Sequence, residues 1–279
     1  MFENFKKWCM DKIINIIVVI VFLLFVLFII FVAGVSSNMQ GLQVNSNNVL
    51  STKKIGWGIK RSDNHEQPDL GATNKKIIDE FNGIAMGNSE KKYIYLTFDV
   101  GYEGGYTEKI LDTLKENNVK AAFFITGQFV KTSSNIIQRM IDEGHIVGNH
   151  TINHKSLPEC DYDTIKEEVM GMHQKIYEKF NYEMKYMRPP KGEYSELTLS
   201  YIQNFGYIPV MWSFAYDDWD NSKQGREEYG KKKIMDNLHN GEVMLLHATS
   251  SDNASILDDV IKKIKAEGYE FKTLDEFEG

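Results

Sequence analysis

The sequence predicts an α/β fold built on a parallel sheet and preceded by one apolar N-terminal segment. Three observations predict it. Short apolar runs rich in β-formers alternate with amphipathic helical patterns in seven or so β/α units between residues 93 and 273, and such alternation implies parallel strands with right-handed crossovers. Five polar clusters each follow one of those runs, at the strand ends that converge on one face of a parallel α/β protein. Residues 13–35 carry no charge and one polar side chain, Asn15. The alternation by itself leaves a closed barrel and an open doubly wound sheet both available.

The chain of 279 residues is 42% hydrophobic and 25% charged, which is enough apolar material for a large core. Its net charge of −7 argues against a nucleic-acid-binding face and leaves glycans open as ligands. At a rise of about 1.5 Å per residue, segment 13–35 is long enough to span a bilayer. Lys6, Lys7 and Lys12 precede it, so residues 1–12 should stay in the cytoplasm and the rest be translocated. The expected organisation is a cytoplasmic N-terminus (1–12), a transmembrane anchor (13–35), a linker rich in Asn, Ser and Gln (36–54) and a catalytic domain (55–279). The protein is then a single-pass membrane protein with an extracytoplasmic domain. A cleavable signal peptide is the rival reading of 13–35, although the run exceeds the roughly 7–15 residues of a signal core. Cys9 and Cys160 fall on opposite sides of the span and cannot pair.

In chain order, the loop 53–69 has neither helical nor strand period, and its Trp57 reads as a hydrophobic plug or as the wall of a groove. Residues 74–81 form a short helix. The run 93–98 is a strand that ends in Asp99, followed by Val100 and a flexible Gly101. A helix covers 106–117, with Ile110, Leu111 and Leu114 on one face. A strand at 120–126, a helix at 135–143 closed by Gly144 and a short strand at 145–148 come next. The helix at 162–180 is long, with Ile165, Val169, Met172 and Ile176 in phase. Then follow a strand at 186–187, a helix at 196–205, a strand at 207–212, a helix at 227–238, a strand at 243–246, a helix at 256–267 and a last strand at 271–273.

The polar clusters are Asp99, His150 with His154, Arg188, Asp217-Asp218-Trp219, and His247. Two histidines spaced by four reach one metal ion from a single helical turn; a hydrogen-bonded pair holding the turn is the alternative. Arg188-Pro189-Pro190-Lys191-Gly192 fixes a guanidinium on a rigid turn, and a buried Arg needs a carboxylate, either Asp99 or Asp218. A histidine facing an aspartate across a barrel mouth suits paired acid and base roles. His65, His145, His173 and His239 read as structural.

Taken together these residues resemble the polysaccharide deacetylases, carbohydrate esterase family 4. The motifs match in order: Thr97-Phe98-Asp99-Val100-Gly101, His150-Thr151-x-x-His154, Arg188-x-Pro190-x-Gly192, Asp218-Trp219 and Leu246-His247. The resemblance runs from about Ile55 to the C-terminus. The GWGIK loop, the Tyr102-Glu103 that follows Gly101 and the Arg-Pro-Pro form resemble the branch that de-N-acetylates muramic acid for the δ-lactam of spore cortex. It implies a distorted (β/α)7 barrel that hydrolyses acetyl from N-acetylated sugars of peptidoglycan glycan strands. It further implies Asp99 as general base, His247 as general acid, Arg188 orienting Asp99, and Asp218 as partner of His247 or Arg188. His150 and His154 would be metal ligands, and Trp219, Tyr102 and Pro190 would contact substrate. A deacetylase of N-acetylglucosamine or chitooligosaccharide, and a non-catalytic glycan-binding domain, are the alternatives. Two positions depart from the pattern: Val100 replaces the family's third metal ligand, and Ala215 replaces the first acid of D-x-x-D-W. With two imidazoles left, a zinc-like divalent metal is expected to bind weakly or not at all.

Overall fold

The structure, a computed structural model, describes residues 49–279. The apolar segment 13–35 and the linker up to residue 48 lie outside the described residues. Among those described, no helix is long and apolar enough to cross a membrane.

The chain enters through β1 (Ile55–Gly56) and α1 (Ala72–Glu80). It then alternates: β2 (Tyr93–Val100), α2 (Thr107–Glu116), β3 (Ala122–Ile125), α3 (Gly127–Thr132), α4 (Ser134–Asp142) and β4 (Ile146–Asn149). α5 (Tyr162–Lys166), a π turn (Glu167–Gly171) and α6 (Met172–Phe180) run end to end. β5 (Tyr186–Met187), β6 (Glu193–Tyr194), α7 (Glu196–Asn204), β7 (Ile208–Pro209), α8 (Glu227–Asp236), β8 (Glu242–His247), α9 (Ser251–Ala266) and β9 (Glu270–Lys272) complete it. The main sheet has the order β7-β5-β4-β3-β2-β8, with β9 also on β2, and every pairing in it is parallel.

The β2 strand shows why the sheet holds a site. Its side chains alternate between faces. Ile94, Leu96, Phe98 and Val100 join the helix-covered core with Ile110, Leu111 and Leu114. Tyr95 joins the inner cluster with Ala122, Phe124 and Val243, and Asp99, four residues on, shares that inner face. The register aligns Gly148, Phe124, Asp99 and His247 in one row across β4, β3, β2 and β8. Both expected reactive groups therefore reach the rim at the same level.

The sheet closes into a distorted barrel through one irregular segment. β7 pairs with β5, and the chain then carries on to β8, where Ser213 N–H donates to Val243 O and Leu245 N–H donates to Phe214 O. The strand expected at 207–212 is thus a two-residue ladder followed by a crossing, consistent with Pro209, which has no N–H to donate. Two further differences from the sequence reading are local, and one reading left open there is decided. Residues 50–54, assigned to the linker, begin to pack on the domain: Ser51 N–H donates to Glu196 and Leu197 N–H donates to Ser51 O. β1 and β6 form an unforeseen antiparallel pair. Trp57 is the plug: its Nε1–H donates to Trp212 O at 2.9 Å, and Gly192, at φ +65, leaves it room, since a Cβ there would lie 3.0 Å from Trp57 Cβ.

Candidate active site

Asp99 ends the inner row of β2, and Arg188, two residues from the fixed Pro190, lies behind it with no exposed surface. A guanidinium so buried must be paired and fully hydrogen-bonded. Its Nη1–H donates to Asp99 Oδ1 at 2.8 Å and its Nη2–H to Thr97 Oγ1 at 2.9 Å; Val210 O and Met211 O accept the rest. The Phe124 ring lies 4.3 Å from its Cζ. Burial pushes the Asp99 carboxyl up, but His150, Arg188 and His247 outweigh it, and the group sits below its ordinary pKa. Of the two acids available to Arg188, the structure selects Asp99.

Asp218 instead serves His247. It is buried and accepts three bonds: His247 N–H at 2.7 Å, His247 Nδ1–H at 2.9 Å and Asn253 Nδ2–H at 2.6 Å. Burial alone would lower the His247 pKa, yet Asp218 overrides it and the pKa rises. With Nδ1 committed, Nε2–H is the proton that His247 can give.

The His150–His154 pair is not on a helix, as its spacing predicts. It lies in an irregular turn in which Thr151 (φ 67) and His154 (φ 55) take left-handed conformations. His150 Nδ1 lies 2.8 Å from Arg188 O, a carbonyl that can only accept, so Nδ1 carries the proton and the neutral ring presents a lone pair at Nε2. That Nε2 lies 3.1 Å from His154 Nε2 and 3.3 Å from Asp99 Oδ2. Burial lowers both rings, His154 to about 4, so both are neutral near pH 7. Two imidazoles supply two of the three protein ligands of a catalytic zinc. Val100 does not supply the third: it is fully buried in the helix-side core. Among the described residues no three His, Cys, Asp or Glu side chains are arranged to hold an ion. The residues present do not make the family's three-ligand metal site.

One cavity of about 1530 Å³ takes in Asp99, His150, His154, His247, Tyr102 and Trp219. Tyr102 and Trp219 stand at the rim, 44% and 60% exposed, where a sugar ring can stack. Pro190 is buried and does not line the cavity; it stiffens the turn instead. Ala215 lines the wall, and its carbonyl accepts from Arg61 Nη2–H at 2.6 Å. Sequence reasoning missed Thr97, Asn253 and Glu168. Thr97 was within reach, since it shares the inner face two residues before Asp99. Lys131, Lys175, Lys179 and Lys191 also line the cavity and went unremarked.

Residues 86–210 match the family model described as polysaccharide deacetylase. The peptidoglycan-N-acetylmuramic acid deacetylase PdaA of Bacillus subtilis is 42% identical over 229 residues, which is 82% of this chain and 87% of that protein. The chain belongs to the polysaccharide deacetylase family. It is a hydrolase of that family. The structure of Bacillus subtilis PdaA, a family 4 carbohydrate esterase, matches this deacetylase with a TM-score of 0.79 at 41% identity, over 82% of this chain and 98% of that one. A peptidoglycan-N-acetylglucosamine deacetylase of Bacillus cereus is 33% identical over 201 residues, 71% of this chain and 72% of its own.

Proposed function

We propose that this deacetylase hydrolyses the acetamido group of N-acetylmuramic acid residues in peptidoglycan. One observation carries the reading. Asp99, favoured as carboxylate, and His247, favoured as imidazolium, sit in register on β2 and β8 and face one cavity. Arg188 holds Asp99 Oδ1, which leaves Oδ2 to take a proton from water. The resulting hydroxide adds to the acetamido carbon. His247 Nε2–H then protonates the sugar nitrogen as the C–N bond breaks, so acetate and a free amine leave. General acid–base catalysis of this kind contributes typically ~10²–10⁴-fold.

Two features favour muramic acid over glucosamine. Identity is higher to the muramic acid deacetylase than to the glucosamine deacetylase. The cavity also carries Lys131, Lys175, Lys179 and Lys191 against two acids, Asp99, which is paired with Arg188, and Glu178, which accepts from Gln174, in a chain of net charge −7. A cationic wall suits a glycan bearing carboxylates, as muramic acid does, better than a neutral chitooligosaccharide. The freed amine lies next to the lactyl carboxylate of the same sugar, the two groups an intramolecular δ-lactam joins, so the reading extends to spore cortex. The 13–35 segment, read as a membrane anchor, would hold the domain on the outer face, where peptidoglycan lies. The test is product analysis of digested peptidoglycan after treatment with the enzyme. Muramic residues should lose acetyl, and Asp99→Asn and His247→Ala should abolish the loss. Acetate released from glucosamine alone would move the assignment to that sugar, and none from either would end the enzymatic reading.

A further inference from the structure

The π turn Glu167–Gly171 breaks the helical run between α5 and α6, although the apolar phase on either side continues across it. π turns redirect backbone groups and recur at functional sites, and here the redirected groups meet the histidine turn. Glu168 O accepts from Ile152 N–H at 3.2 Å. Val169 O accepts from Asn149 Nδ2–H at 2.9 Å. The Glu168 carboxylate, 1% exposed, accepts from both Asn153 N–H and Asn153 Nδ2–H at 2.7 Å each. Lys155 Nζ lies 3.4 Å from its Oε1. Four bonds thus run from two residues of the π turn to residues 149–153.

That turn needs holding. Thr151 is β-branched and His154 is not glycine, yet both have positive φ, a conformation that costs energy and persists only where the surroundings over-determine it. Inside the turn, His154 N–H donates to Thr151 Oγ1 and Thr151 N–H to Asn149 Oδ1. Gly127 N–H donates to Thr151 O and Ile152 O. The two bonds to the Glu168 carboxylate have an ionic acceptor, and charge-assisted bonds are the stronger kind. The consequence falls on His154, the residue that follows Asn153 and whose Nε2 meets His150 Nε2 at 3.1 Å.

We propose that Glu168 is a positioning residue: through Asn153 it fixes the 150–154 turn in the strained form that brings His154 into the cavity beside His150 and Asp99. The kinetic part of this proposal rests on the proposed deacetylation; the geometric part does not. The experiment compares wild type, Glu168→Ala, Glu168→Gln and Asn153→Ala with histidine labelled at the ring nitrogens. In Glu168→Ala the His154 ring resonances should shift and broaden while those of His145 and His239 stay in place. On acetylated glycan kcat should fall ~10–100-fold with KM within about threefold, as expected when a reacting geometry loosens. Glu168→Gln keeps one acceptor and should fall between. Asn153→Ala removes only the side-chain leg and should show a smaller His154 change, which decides the matter if Glu168→Ala does not fold. An unchanged His154 resonance in the folded variants overturns the proposal, as does a change spread equally over all buried histidines. Should the wild type release no acetate, the proposed function fails, but the His154 resonances still decide the clamp.

Discussion

Asp99 and His247 are neighbours in the β2–β8 register, yet their surroundings drive their protons apart. Arg188 is fixed charge beside Asp99; Asp218 is a carboxylate locked onto His247. A base that must be ionised and an acid that must be protonated give a bell-shaped kcat/KM. Its acid limb should lie below the ordinary carboxylate pKa of about 4, because Asp99 is shifted down. Its alkaline limb should lie above 6.5, because His247 is shifted up from that value. Asp218→Asn removes the cause of the upward shift and leaves burial, which lowers the ring. The alkaline limb should therefore move to lower pH, and the rate at pH 7 should fall by roughly 10–100-fold; a limb that stays put would assign the acid role to another group. Val100 is the counter-case. Val100→Asp puts a carboxylate into the helix-side core, at a cost of about 3–5 kcal/mol if it stays unpaired, the penalty of an uncompensated buried charge. The expected outcome is a lower Tm in chelator, with zinc-dependent recovery that wild type lacks. A drop in Tm with no zinc response would mean that position 100 cannot turn toward His150 and His154.

Between elements, the site depends on how closely β3 and β4 approach. A Cβ on Gly148 would lie 2.5 Å from Phe124 Cδ1, and Phe124 is the ring on which Arg188 rests. Gly148→Ala should force that ring against the guanidinium, destabilise the fold by ~1–3 kcal/mol and slow the reaction. Gly56→Ala, with nothing within 4 Å, is the control and should leave Tm and rate nearly unchanged. The main strands and their terminal acids, arginine and histidines were legible in the sequence, because a period of two and an abrupt polar residue are local signals. The geometry of the H-x-x-x-H pair was not. A spacing of four fits a helix, and no glycine or asparagine at 151 or 154 announces a left-handed turn. The π turn was hidden for a related reason: Ile165, Val169, Met172 and Ile176 stay in phase through it, and all are buried. Barrel closure by 208–214 and the Asn253–Asp218 bond join segments far apart in sequence, which no local period encodes.

Over the whole molecule, buried titratable groups make stability depend on pH in opposite senses. His145 and His239 lie in the interior at 3% and 1% exposure, and burial, the largest cause for each, lowers both to about 4. Between about 6.5 and 4 the unfolded chain takes up protons that the folded rings refuse, so stability falls as pH falls through that window. A shift of that size amounts to on the order of 3 kcal/mol for each ring. His247 has the reverse sign. Its folded pKa is raised, so its contribution is complete below 6.5 and is lost as pH rises through the folded value. Glu242 acts with His247. It is fully buried, with Oε2 accepting from His239 N–H and Oε1 without a hydrogen-bond partner among the described residues. Burial raises its pKa well above the ordinary glutamate value, so its favourable contribution is complete below about 4.5 and is lost as pH rises through the folded value. The two senses place the stability maximum between the regimes. Denaturant midpoints measured from pH 4 to 9 should fall toward both ends. Glu242→Gln, which cannot ionise, should flatten the alkaline side and gain stability relative to wild type at high pH, with the gain vanishing toward pH 4.5. His239→Asn should flatten the acid side instead. If Glu242→Gln lost stability equally at every pH, the carboxyl would be held by contacts rather than by its proton, and the alkaline decline would belong to His247 alone.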